Sequence, residues 1–225
     1  MYTNKAFGAI EAVRGFMPAE EGIRLGIPGF GELPAPSGQE IVVPINNLFG
    51  AFALRGYENF TSQDWHPLGT AHFAQNGEEP NFDTTWPIHC VANTPGAELH
   101  PNIVVPGNRT RFIKGFESLR PGEADTSYSV WSAKAPLLED LSFPEWIAKK
   151  NITEVTLGGL CLDFCVGLSA IDIRREAGIN VVVAIDATRS ISEEGTRLML
   201  RRFEQEGIKV ATTDEVIADL RTERI

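Results

Sequence analysis

Cys165 lies in the run Val155 to Ala170, VTLGGLCLDFCVGLSA, where strand-like sequence gives way to helix-like sequence. Val155 to Leu160 is β-branched and apolar and ends in Gly158-Gly159, the composition of a buried parallel strand. From Asp163 onward, Val166, Leu168, Ile171 and Ile173 suit a helix, with Asp163 as its N-cap. Cys165 then falls in the first turn, where the helix dipole is expected to lower its pKa below the free value of about 8.5. Cys161 and Cys165 also suit the underside of a sheet as small core residues. Against that reading, the carboxyl ends of strands in open α/β sheets are where ligands bind. Two other predicted strands end on a charge: Ala6 to Glu11 (AFGAIE) on a carboxylate and Thr110 to Lys114 (TRFIK) on an ammonium. The predicted strand ends thus bring a thiol, a carboxylate and an ammonium toward one edge.

All four histidines, His66, His72, His89 and His100, fall in the polar, irregular stretch Asp64 to Pro101. In Asp64-Trp65-His66 a carboxylate and an imidazole two residues apart at a strand end point the same way, so both can reach one ion. One or two further histidines from the loop would complete a site of N and O ligands suited to zinc, manganese or iron. The alternative is four polar residues satisfied by hydrogen bonds within the loop.

The elements that must position these residues are legible in order. Gln39 to Leu54 has a helical apolar face with Pro44 in its first turn, and Asn59 to Gln63 is a second strand that delivers Asp64. After Lys114 come a polar loop carrying Tyr128 and Trp131, a helix over Leu137 to Lys149 and the strand before Cys165. The helix ending at Gly178 is followed by the buried strand Asn180 to Ile185, a helix over Ser192 to Glu206, a strand over Ile208 to Ala211 and a helix over Thr213 to Arg221. Strands alternating with helices imply a doubly wound, mostly parallel α/β sheet with helices on both faces. The 225 residues, 43% of them hydrophobic, form one expected domain over 1–225, with a Gly/Pro-rich loop near 19–38 and a metal-site loop over 64–101. A net charge of -10 argues against a nucleic-acid partner. No stretch approaches the roughly eighteen apolar residues of a membrane span, and no secretory signal is legible, so the cytoplasm is the expected compartment. Three cysteines make no disulfide framework.

Taken together, QDWHP (63–67), WPIHCVANTPGAELHP (86–101), FIKG (112–115) and LDFCV (162–166) resemble the nicotinamidase/pyrazinamidase branch of the isochorismatase-like cysteine hydrolases. The similarity runs from about Ala6 to Val216, and WPxHC…TPGAExHP carries most of it. The resemblance implies a six-stranded α/β/α fold and hydrolysis of nicotinamide to nicotinate and ammonia through a cysteine thioester, with pyrazinamide as a further substrate. By the same resemblance Cys165 is the nucleophile, Lys114 the triad lysine, and Glu11 stands where the family has an aspartate. It makes Asp64, His66 and His89 ligands of one divalent ion (zinc, iron or manganese), with His72 the extra histidine of the mycobacterial-type enzymes. Phe16, Trp86 and Tyr128 become pocket walls, and the backbone N–H groups of Cys161 and Cys165 the oxyanion hole. No organic cofactor is implied, and the expected partners are a small amide and further copies of the chain.

The chain departs from the family pattern at three places. Glu11 is one methylene longer than aspartate, which leaves open a working glutamate variant, a weakened enzyme or a binding protein; a related hydrolase of another small amide is a further alternative. Cys161 and Leu162 replace the usual small residue and threonine before the nucleophile. The segment Ala19 to Phe30 is longer than in typical relatives, and a lid or an oligomer contact is expected of it.

Overall fold

The six strands expected to lie parallel do so in the computed structural model, which describes residues 4–74, 77–121, 123, 125 and 127–222. The strands in chain order are β1 (Asn4–Ile10), β2 (Glu58–Asp64), β3 (Arg109–Lys114), β4 (Lys134–Ala135), β5 (Leu141–Ser142), β6 (Ile152–Leu160), β7 (Asn180–Arg189) and β8 (Lys209–Ala211). They form one eight-stranded sheet in the order β5-β4-β3-β2-β1-β6-β7-β8, not the six-stranded sheet expected. The additional strands, β4 and β5, are antiparallel and two residues long, too short to show a period in the sequence. They lie partly inside the stretch read as one helix from Leu137. That helix, α3, begins only at Phe143 and runs to Lys149, where Ser142 and Glu145 form a capping box and Pro144 occupies the first turn.

From β1 the chain builds outward through β2 to β3, then returns to the other side of β1 with β6 and builds outward again to β8. The reversal between β1 and β6 opens a crevice at the carboxyl ends of the central strands. Alternation along β1 serves both faces, with Ala6 and Ile10 in one core and Phe7 and Ala9 in the other. On one side Phe7 packs edge-on against Phe49 of α2 (Val42–Leu54), with ring centres 4.9 Å apart. On the other, Phe60 and Phe112 pack among Phe143 and Trp146 of α3. Such pairs add about 0.5–1.5 kcal/mol each beyond burial, so the central strands sit between two stiff aromatic layers.

Two loop expectations change. The stretch 19–38, read as a loop, begins with a helix, α1 (Ala19–Leu25), closed by Gly26 in the left-handed region at φ 67°. Its remainder is a strap that donates backbone hydrogen bonds to the segment after β1, from Gly31 to Met17, Leu33 to Gly15 and Ala35 to Phe16, each 2.9 Å. The turn after β6 also differs: its N-cap is Cys161 and not Asp163. The Asp163 carboxylate instead accepts from the backbone N–H groups of Ile191 and Ser192, at the entry to α5 (Glu193–Glu206). The wide helical turn Leu162–Val166 leads into α4 (Gly167–Asp172), and α6 (Thr213–Thr222) closes the described chain. Gly159, at φ 124°, lets β6 press against β1, where a Cβ would lie 1.7 Å from the Ile10 carbonyl oxygen. No helix among the described residues is long and apolar enough to cross a membrane.

Candidate active site

Four strand ends meet at the crevice. Glu11 follows β1, Asp64 closes β2, Lys114 closes β3, and Cys161 and Cys165 follow β6. The register pairs Asp64 with Lys114 across β2 and β3, which sets carboxylate beside ammonium before any side-chain choice is made. Lys114, 1% exposed, places Nζ 2.5 Å from Asp64 Oδ1, 3.4 Å from Cys165 Sγ and 3.6 Å from Glu11 Oε1. Glu11 adopts a left-handed backbone at φ 48°, unusual for a glutamate. Its carboxylate accepts hydrogen bonds from Ser62 Oγ (2.8 Å) and the Asp64 backbone N–H (2.5 Å), so both oxygens are fixed.

Electrostatics in this buried cluster decide the resting charges. Burial works against the Lys114 ammonium, but Asp64, Cys165 and Glu11 outweigh it and hold its pKa well above the ordinary value. Burial likewise opposes the Asp64 carboxylate, and Lys114 and His66 overcome that opposition to keep it ionised. Burial, with the Asp64 charge beside it, pushes the Glu11 carboxyl up to about 7. For Cys165 the expected depression by the helix dipole is overturned: burial pushes the thiol above its ordinary value, and Lys114 only partly offsets this. Desolvation outweighs the helix dipole for a residue 5% exposed.

Across the cleft stand His66, His72 and His89, all buried, with one ring nitrogen of each within 4.8 Å of the others. The His66 and His72 rings stack with centres 4.2 Å apart. Each Nδ1 faces an acceptor: the Gly115 carbonyl for His66 (3.2 Å), Asp125 Oδ2 for His72 (2.5 Å) and the Pro87 carbonyl for His89 (2.7 Å). Carbonyl and carboxylate oxygens only accept, so each Nδ1 donates, and in a neutral ring Nε2 then offers a lone pair. Nε2 of His66 and of His72 is buried without a hydrogen-bond partner. Burial and the neighbouring His66 hold the His89 pKa down to about 3, so its imidazole stays neutral. Lone pairs cannot satisfy one another, and a divalent cation is the chemical partner that fits them. Asp64 stands at the margin of this group, its Oδ1 3.8 Å from His66 Nε2 and engaged by Lys114. His100 lies elsewhere, with Nε2 3.4 Å from Glu21 Oε1 of α1.

A cleft joins the two clusters and touches Cys165, Asp64 and the three histidines. Its aromatic walls are Phe16, Trp86, Tyr128 and Phe164. Trp86 Nε1 donates to Tyr128 Oη at 2.7 Å, and Phe164 stands edge-on to Trp86 with centres 5.2 Å apart. Sequence reasoning missed Phe164, Leu33, Ser62 and Asp125. Ser62 carried a signal, since it lies two residues before Asp64 on one strand and so on the same side. Asp125 carried none, because it reaches His72 from a loop without period.

The pattern of an isochorismatase domain matches residues 23–215, and the chain belongs to that family. It is 33% identical to a nicotinamidase of Acinetobacter baylyi over 180 residues, 75% of this chain and 78% of the relative. Identity to a nicotinamidase of Escherichia coli is 32% over 171 residues, covering 72% and 77% of the two chains. The crystal structure of a pyrazinamidase of Pyrococcus horikoshii in complex with zinc superposes with a TM-score of 0.73 at 25% identity, over 93% of this chain and 99% of the other. Within the family the chain therefore lies in the nicotinamidase and pyrazinamidase branch, and it is a hydrolase acting on an amide C–N bond.

Proposed function

We propose that this chain hydrolyses nicotinamide, and pyrazinamide as a second ring amide, to the carboxylic acid and ammonia, with Cys165 as nucleophile. The observation that carries this reading is one cleft joining a thiol–ammonium–carboxylate cluster to three converging imidazole lone pairs. A flat aromatic amide with a ring nitrogen has a group for each. Phe16, Trp86 and Tyr128 would sandwich the ring between them.

In this mechanism Glu11, with its carboxyl near neutrality, takes the thiol proton while Lys114 stabilises the thiolate as it forms. Sulfur attacks the carbonyl carbon, and the backbone N–H groups of Cys161 and Cys165 receive the developing oxyanion. Collapse breaks the C–N bond as Glu11 returns its proton to nitrogen, so ammonia leaves and a thioester remains. Water, deprotonated by Glu11, cleaves the thioester, releases the acid and restores the thiol. A divalent ion held by His66, His72 and His89, with Asp64 at its margin, would supply a Lewis-acidic anchor for the ring nitrogen.

Hydroxylamine tests the covalent step because it intercepts a thioester. The expected outcome with nicotinamide is a hydroxamate that grows with hydroxylamine concentration at the expense of nicotinate. Ammonia release without any hydroxamate would rule out the acyl-enzyme, and turnover of aliphatic amides alone would rule out the substrate.

A further inference from the structure

Glu32, in the strap after α1, sends its carboxylate into the floor of the candidate metal loop. Its Oε2 accepts from the Cys90 backbone N–H at 2.7 Å. Cys90 follows His89, holds a left-handed backbone at φ 46°, and through its carbonyl accepts from the His66 backbone N–H at 3.1 Å. One strained turn thus joins the backbones of two of the three histidines, and Glu32 is the side chain fastened to it. The space around the carboxylate is shaped for it by two glycines from separate segments. A Cβ on Gly96 would lie 2.0 Å from Glu32 Oε2, and one on Gly15 would lie 2.9 Å from the same atom. The strap is held in register by its hydrogen bonds to Gly15, Phe16 and Met17, and Leu33, next to Glu32, reaches the cavity wall.

We propose that Glu32 is a positioning residue of the metal site: the strap inserts its carboxylate between Gly15 and Gly96 to hold the Cys90 turn, and thereby sets His89 and His66 for one divalent ion. Neither the mechanism nor the ligand set uses Glu32; it acts through the Cys90 peptide. The inference rests on the metal-site reading given under Proposed function. It gives the strap a role inside its own subunit.

The test is the Zn²⁺ dissociation constant, measured by competition with a chromophoric chelator, alongside thermal unfolding of the metal-free proteins. Glu32→Ala is expected to weaken zinc binding by roughly 10- to 100-fold, as loss of an outer partner does at other metal sites. Glu32→Gln keeps an oxygen that accepts from Cys90 and is expected to stay close to wild type. Gly96→Ala should weaken zinc binding as Glu32→Ala does, and should cost little more when added to Glu32→Ala, because the clash it creates is then gone. Metal-free melting should move little in Glu32→Ala relative to the change in zinc affinity. Equal zinc affinity in wild type and Glu32→Ala would overturn the role of Glu32, and so would Glu32→Gln behaving like Glu32→Ala or a fall in metal-free stability large enough to account for the weakening. Wild-type protein that binds no zinc, or binds it independently of His66 and His89, would instead overturn the metal-site reading itself.

Discussion

Removing the Lys114 charge should destabilise the fold as well as stop turnover. The ammonium is almost wholly buried from bulk solvent, 2.5 Å from Asp64 Oδ1 and 3.6 Å from Glu11 Oε1. Lys114→Met keeps the length of the stem and strands a buried carboxylate without its cation. Breaking a buried pair in this way costs about 3–5 kcal/mol, against about 0–1 kcal/mol for an exposed pair. With a urea m value of about 3 kcal/mol/M, the midpoint should fall by about 1–1.7 M. The loss should also depend on pH in a fixed direction. Lys114 helps hold the Asp64 pKa below its unfolded value, so the stability from this pair is present above that value and is lost as pH falls through the folded pKa. The wild-type contribution is whole at both pH 5 and pH 7.5, so the difference comes from the variant: its stranded carboxylate can take up a proton at pH 5, and its deficit should be larger at pH 7.5. Adding Asp64→Asn should recover part of the loss. A deficit below about 1 kcal/mol at pH 7.5, or one that grows on acidification, would refute the charge arrangement argued here.

Two further outcomes follow from the same geometry. Because the Glu11 carboxyl is raised from 4.5 to about 7, the folded state holds a proton that the unfolded state has lost between those values. Wild-type stability should therefore decline relative to Glu11→Gln as pH rises from about 4.5 to 7, by a few kcal/mol in all, and parallel urea-unfolding curves across that range would contradict it. His66→Ala removes one of three lone pairs and should cut stoichiometric metal in the purified protein, measured by elemental analysis, while leaving the thiol titre at three cysteines. Full metal content in that variant would remove the histidines from the site.

Much of this arrangement was legible in the chain because it depends on where strands end. AFGAIE, TRFIK and VTLGGL each read as a strand, and in a parallel sheet their carboxyl ends share one edge. Glu11, Lys114 and Cys165 could therefore be brought together without knowing any contact. Asp64 and His66, two residues apart, do face the same side, but Asp64 Oδ1 is taken by Lys114 and stands 3.8 Å from His66 Nε2. What stayed hidden was set by packing across distant segments. The rise in the Cys165 pKa comes from burial, which a helix-dipole argument omits. Asp163 looked like a cap and instead serves the turn at Ile191 and Ser192, far along the chain. β4 and β5 are too short to announce themselves, and α1 lies in a Gly/Pro-rich stretch whose composition suggested only a loop. Glu32 and Asp125 support histidines from loops with no period to read.

The most direct test of the central claim is ammonia release from nicotinamide by the metal-replete protein beside Cys165→Ala, with metal content measured on both. The account predicts release by the wild type, none by Cys165→Ala, and equal metal in the two, because the thiol lies in the cluster around Lys114 and not among the three histidines. Ammonia release that survives in Cys165→Ala would contradict it.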